Sequence, residues 1–315
     1  MRRLILSLIP WLLFGRCYSQ HDFLFNTCYL RNPLLIEHYL KKKCGFKEGF
    51  LNTSDDCKLH YLWLERPQAS YTMIFASGFY PGNKEGLSTF YKIVPEDCNI
   101  LFFDWRGHGK STGKFLSALW QYGQHEWKDV VAAIDFVHTK VNKPIVLYGL
   151  CAGAFHSVNA LMFLGNDKIE KLGIKGLIFD SGWSSLNQIS ETFLIGHLQS
   201  KIKKLPKLTQ VFIKNLSKNM IKLIHYGTIK PILHLSSSKK TDILPRISIL
   251  TIPILYIHAY DDTYASIDCV QVLAEQTLKN YTWWIAKPSK HACNHLKHTI
   301  EYANRLSGFI KAIVT

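Results

Sequence analysis

Short apolar runs recur along the chain, at residues 58–64, 71–76, 99–104, 144–149, 175–180, 253–258 and 281–286. Their length and the polar or turn-forming residues at their ends predict strands. Between several of them, at 124–141, 152–164, 267–278 and 296–313, apolar residues return at helical spacing, which predicts helices. Strands that alternate with helices imply a mostly parallel sheet covered on both faces. In such a sheet, functional residues gather in the loops beyond the carboxyl ends of the strands. Ahead of this pattern lie a helical mix at 34–43 and a strand-like run at 49–53, the latter joined to 58–64 around Ser54-Asp55-Asp56. This N-terminal part, residues 20–48 followed by the first two strands, reads as a helical lead-in to an antiparallel pair.

One segment interrupts the alternation. Residues 183–250 contain no clear strand, and Leu208, Val211, Phe212, Leu216, Met220, Leu223 and Ile224 fall at helical spacing, with Lys207, Lys214, Lys218 and Lys222 mostly on the other face. An inserted helical cap is the expectation, dividing a core of 49–182 from its second part, 251–315. Composition adds a charge argument: 38 Lys and Arg against 23 Asp and Glu give the chain a formal charge of +15. The cap holds eleven of the basic residues against only Glu191 and Asp242. A basic amphipathic cap is suited to an anionic membrane surface or an anionic acyl substrate. Nucleic acid is not expected as a partner, because no recognition motif accompanies the charge.

The N-terminus points to export. Arg2 and Arg3 precede an apolar run at 4–14, and Cys17-Tyr18-Ser19 supplies small residues suited to cleavage before Gln20. Residues 1–19 therefore read as a signal peptide; the run is shorter than the ~20 apolar residues of a membrane span, and Pro10 interrupts it. Export places the protein in the periplasm or outside the cell, where thiols tend to pair. Cys28, Cys44, Cys57, Cys98, Cys151, Cys269 and Cys293 form an odd set. With Cys151 left free, up to three disulfides are expected, their connectivity open.

Chemistry concentrates at the strand ends. The strand at 144–149 runs into Gly149-Leu150-Cys151-Ala152-Gly153 and then a helix, the setting of a nucleophile elbow with Cys as the nucleophile. A sharp strand-to-helix turn strains the central residue, and the flanking glycines let strand and helix approach without Cβ clashes. The ordinary alternative is a structural cysteine beside a glycine turn. Phe75-Ala76-Ser77-Gly78-Phe79 ends another strand in small residues, so the Phe79 amide, with Tyr80 as the neighbouring alternative, could join the Ala152 amide in an oxyanion hole. Ala259-Tyr260-Asp261-Asp262 places acids after a late strand, and Lys287-Pro288-Ser289-Lys290-His291 a histidine after the last.

The stretch Asp104-Trp105-Arg106-Gly107-His108-Gly109-Lys110-Ser111-Thr112-Gly113 resembles the D-x-R-G-x-G-x-S-x-G segment of the α/β-hydrolase superfamily, most closely its lysophospholipase and serine-aminopeptidase-like branch. The likeness runs from about Gly49 to the C-terminus, with the cap its least recognisable part. It implies an α/β-hydrolase fold: a mostly parallel sheet of about eight strands flanked by helices, with an inserted cap. It also implies Cys151 as nucleophile, Asp262 as acid, with Asp261 second, and His291 as base, with His295 the fallback. The family usually has Ser at the elbow and a His before the oxyanion-loop glycine, where this chain has Cys151 and Ser77. A Cys at the elbow also occurs in the superfamily's dienelactone hydrolases and polyester synthases.

The expected activity is hydrolysis of an ester or thioester of a small acyl substrate, including lipids, by a monomer that needs no cofactor or metal. Acyl transfer by the same triad, or a binding module that has lost catalysis, are the alternatives. Two other motifs are set aside. Residues 291–298 hold three His and one Cys, but their spacing fits no common zinc pattern. Gly109-Lys110-Ser111 lacks the first glycine of a phosphate loop, Asp104 standing in its place.

Overall fold

A computed structural model of the protein describes residues 33–79, 89–91, 93–114, 123–185, 189, 242–277 and 281–314. The expected signal peptide, Tyr80, Cys28 and most of the expected cap lie outside these residues. The chain divides into two units, one ending at Phe46 and one spanning Lys47–Thr315. The first contains helix α1 (Pro33–Cys44), with Lys41, Lys42 and Lys43 in its last turn, where cations suit the helix dipole.

The second unit is built on strands β1 (Lys47–Asn52), β2 (Lys58–Leu64), β3 (Tyr71–Ala76), β4 (Cys98–Phe103), β5 (Ile145–Leu150), β6 (Ile174–Asp180), β7 (Ile254–Ala259) and β8 (Tyr281–Ala286). They form one sheet of eight in the order β1-β2-β4-β3-β5-β6-β7-β8. The β1–β2 and β2–β4 pairs are antiparallel and the rest parallel. In β3 and β4 every residue is buried, whereas β1 at the edge is mostly exposed. A central parallel strand is covered on both faces and so reads as a continuous apolar run.

The covering helices are α2 (Glu126–Lys140), α3 (Ala152–Leu164), α4 (Asn166–Lys171), α5 (Ile267–Gln276), α6 (Asn294–Lys297) and α7 (Thr299–Val314). One core cluster packs Val130, Ile134 and Val137 of α2, Phe155 and Val158 of α3, and Val270 and Leu273 of α5 against Ile74, Leu147 and Phe179 of the sheet. On the other face, Tyr302, Leu306, Phe309 and Ile310 form the buried stripe of α7, at the spacing an amphipathic helix requires. Helix α4 and a 3₁₀ helix at Leu244–Ile249 are not foreseen by the apolar pattern, being too short to show a period. Of the region expected as cap, its two flanks meet: the Ile243 amide donates to Ser184 O at 2.9 Å. Ser184 and Ile243, which flank that region in sequence between β6 and β7, are thus neighbours in space.

The expected disulfide framework is not formed among the described residues, where Cys44, Cys57, Cys98, Cys151, Cys269 and Cys293 are all free thiols. Several of these sulfurs contact oxygen atoms instead. Cys98 lies 3.2 Å from Pro95 O, Cys57 3.4 Å from Thr112 Oγ1 and Cys269 2.9 Å from Ser266 Oγ.

Candidate active site

The parallel register brings one set of strand ends level. Ala76 pairs with Gly149, Leu150 with Asp180, and Ala259 with Ala286. The residues just beyond these ends therefore share one edge: Ser77-Gly78-Phe79, Cys151, Ser181, Asp262 and His291.

Cys151 stands between β5 and α3 with φ 57° and ψ −115°, a backbone state that L-residues avoid unless their surroundings impose it. The glycines of the elbow explain how it is imposed. A Cβ on Gly153 would lie 2.0 Å from Ala76 O, and one on Gly149 2.4 Å from Ala154 Cα. Strand β3 and the first turn of α3 thus touch through bare backbone. A Cβ on Gly78 would come 3.6 Å from Cys151 Sγ, so the loop after β3 passes directly beside the sulfur. Trp105 holds that loop by donating from Nε1 to Ser77 O at 2.9 Å.

His291 faces the sulfur. Its Nε2 lies 3.1 Å from Cys151 Sγ and its Nδ1 2.7 Å from Asp262 Oδ2. The Asp262 side chain is fully buried, and its Oδ1 accepts the amides of Tyr264 at 2.8 Å and Ala265 at 2.9 Å. Burial acts to lower the His291 ring, but the Asp262 carboxylate and the Cys151 sulfur outweigh it, and the ring keeps its proton well above its ordinary range. Burial likewise acts to raise Asp262, and the charge and hydrogen bond of His291 hold it below the usual carboxylate value. The two shifts have one sign of consequence: carboxylate and imidazolium stabilise each other.

The second choices made from the sequence fall elsewhere. Asp261 is exposed and donates its amide to Ser289 O. His295 is buried, stacked on Phe90 at 4.0 Å, with Nε2 3.0 Å from Thr89 Oγ1; burial pushes it down to about 3. The third histidine of 291–298, His298, lies against Pro288 O, so the three rings go to three different places.

The Asp104–Gly113 segment serves structure. Gly109 has φ +51°, and a Cβ there would lie 2.3 Å from Asp104 Oδ2. Arg106 forks between the buried Asp129 and Asp55, at 2.6 and 2.9 Å. These bonds fix the loop that carries Trp105, and through it the loop of Phe79.

Sequence reasoning missed several residues around the site. His258, on β7, is buried with Nε2 2.9 Å from Ala265 O and 3.5 Å from Asp262 Oδ2. Asp180 and Ser181 follow the same strand-end rule that located Asp262, and that rule alone could have flagged them. Beside the Phe79 and Ala152 positions opens a pocket also lined by Trp105, His108, Glu126 and His156. Burial pushes His156 down to about 3 and Glu126 up to about 8, so both are neutral near pH 7.

Glu126 carries a testable pH effect. Its folded value is raised, so stability contributed by its protonated form is full below the unfolded value of ~4.3 and is lost as pH rises toward about 8. Glu126→Gln keeps an acceptor for the Gly123 amide, which donates to the carboxyl at 2.8 Å. The variant should be more stable than the parent by on the order of 2 kcal/mol at pH 7.5, and nearly equal at pH 4.5. Denaturant unfolding at the two pH values measures the difference.

No family profile matches the sequence. Among curated proteins, the uncharacterized protein YqkD of Bacillus subtilis is 21% identical over 239 residues, covering 76% of this chain and 70% of YqkD. Among solved structures, an esterase of Pyrococcus furiosus superposes with a TM-score of 0.61 at 20% identity, covering 86% of this chain and 93% of the esterase. Proline iminopeptidase of Mycobacterium smegmatis gives 0.61 at 13% identity, over 85% and 99%. Mouse alpha/beta hydrolase domain-containing protein 10 gives 0.56 at 18% identity, over 84% and 99%. The architecture is the α/β-hydrolase fold, as the resemblance of the sequence implied.

Proposed function

We propose that the protein is a hydrolase that cleaves ester or thioester bonds of small acyl substrates through an acyl-enzyme on Cys151. One observation supports this above the others: the unbroken chain Asp262 Oδ2, His291 Nδ1, His291 Nε2 and Cys151 Sγ, with links of 2.7 and 3.1 Å, on a strained elbow at the strand ends. Solved structures with this fold include esterases, which fits the same reading.

In this mechanism Nε2 of His291 holds the proton that has left the thiol, and Sγ attacks the acyl carbonyl carbon as the thiolate of that ion pair. Asp262 orients the ring and stabilises its charge. The oxyanion receives the amides of Phe79 and Ala152; Ala152 opens α3, and the first amides of a helix have no acceptor within it. Collapse expels the alcohol or thiol, which leaves with the proton from His291. Water then gives a proton to His291, attacks the thioester carbon and releases the carboxylic acid, restoring the thiol.

The pocket beside the two amides is neutral and small, which favours an uncharged, short acyl group. The N-terminal charge and apolar pattern add export to the proposal, and the basic residues of 183–250 add contact with anionic lipid.

The reading is tested by steady-state rates on matched acetyl and butyryl compounds: an aryl ester, an alkyl thioester and an anilide. The ester and thioester should turn over at least about 100-fold faster than the anilide, since an aryloxide or an alkyl thiolate competes with the Cys151 thiolate as leaving group, whereas an amine does not and its tetrahedral adduct reverts. Equal rates on all three, or none on any, would overturn it.

A further inference from the structure

We propose that Asp180 and Ser181 are positioning residues that set the geometry between Cys151 and His291. The inference rests on the triad reading above and adds to it the device that aligns the triad. Asp180 touches both partners' supports at once. Its main-chain oxygen accepts the Cys151 amide at 2.7 Å. Its Oδ1 accepts Ser181 Oγ at 2.8 Å and Asn294 Nδ2 at 3.0 Å. Its Oδ2 is reached by the hydroxyls of Tyr302 at 2.8 Å and Tyr148 at 3.0 Å.

Ser181 carries this order across to the loop of the base. Because its hydroxyl hydrogen is given to Asp180, a lone pair is left facing the amide of Ala292, which donates to it at 3.1 Å. Ala292 directly follows His291. Both Ser181 and Ala292 have φ 55°, a conformation that non-glycine residues hold only where neighbours over-determine it. Asp180, Ser181 and Asn294 are completely buried, so water cannot replace the lost bond if one member is removed. A carboxylate suits the centre of this network because it accepts at both oxygens, whereas an amide in its place would turn an N–H toward one of its donors.

A purely structural role would cost stability and leave the triad of the folded molecules unchanged. Ring-nitrogen NMR of His291 separates the two, read in the substrate-free protein together with melting temperature and kinetics. In Ser181→Ala the His291 titration midpoint should fall by a unit or more from its raised position toward the ordinary ~6.5, and kcat should drop about tenfold or more with KM little changed. Tyr302→Phe, which removes a bond to Asp180 remote from the His291 loop, should lower the melting temperature and leave the midpoint in place.

A Ser181→Ala protein with the parental midpoint and kcat overturns the proposal, whatever its melting temperature. A parent protein whose His291 titrates at the ordinary value overturns both the proposal and the paired triad beneath it. Since the midpoint is read without substrate, loss of the hydrolase reading alone would leave the positioning result intact.

Discussion

Replacing Cys151 with Ala should lower acyl-ester turnover by about 10⁴-fold or more, because members of a triad act as a unit and the loss of the nucleophile disables the rest. The fold should survive. Cys151 holds its strained backbone through the contacts of Gly149 and Gly153 and through its amide bond to Asp180 O, and Ala keeps all three. The double variant Cys151→Ala/His291→Ala should then be no slower than the single one. Turnover in Cys151→Ala within tenfold of the parent, in protein shown by circular dichroism to be folded, would remove Cys151 from the chemistry.

Gly153→Ala carries the largest stability effect expected. The added Cβ would meet Ala76 O at 2.0 Å and Ala76 C at 2.5 Å, and these are backbone atoms of a central strand that cannot turn aside as a side chain would. Separation of α3 from β3 would open the core and displace Cys151, costing at least about 4 kcal/mol, in the range reserved for overpacking at a rigid contact. Gly308→Ala gives the contrast within one protein. Nothing lies within 4 Å of its Cβ position, it is inside α7, and the change should stabilise by about 0.5–1 kcal/mol. Urea unfolding of both variants measures the two signs together.

The elbow glycines Gly149 and Gly153, and the strand ends that bring Cys151, Asp262 and His291 together, were legible in the sequence for a physical reason. A buried parallel strand leaves a continuous apolar run, so 71–76 matches β3 in full; 281–286 matches β8 in full through its own apolar run although that edge strand is only partly buried, and both runs end beside the proposed site. The elbow was legible because strain demands glycine at fixed spacing on both sides of Cys151. Other features left no such trace. Helix α4 has six residues, fewer than two turns, and shows no period. The free thiols of Cys98 and Cys269 were not legible because pairing depends on distance in space, and even an oxidising compartment favours pairing only where two sulfurs meet. The Asp180 network joins β5, β6 and α7 through residues far apart in the chain, so no local pattern announces it. Glu126 and His156 carry ordinary helix-compatible side chains, and only burial makes them neutral.

The central claim is that Cys151 forms a covalent acyl intermediate with the help of His291, and intact-mass and peptide analysis after rapid mixing with an activated acetyl ester tests it most directly. The account predicts one acetyl group on the peptide containing Cys151 in the parent protein, formed much more slowly in His291→Ala and absent in Cys151→Ala. Acetylation elsewhere with Cys151 unmodified, or equal labelling of Cys151 with and without His291, would contradict it.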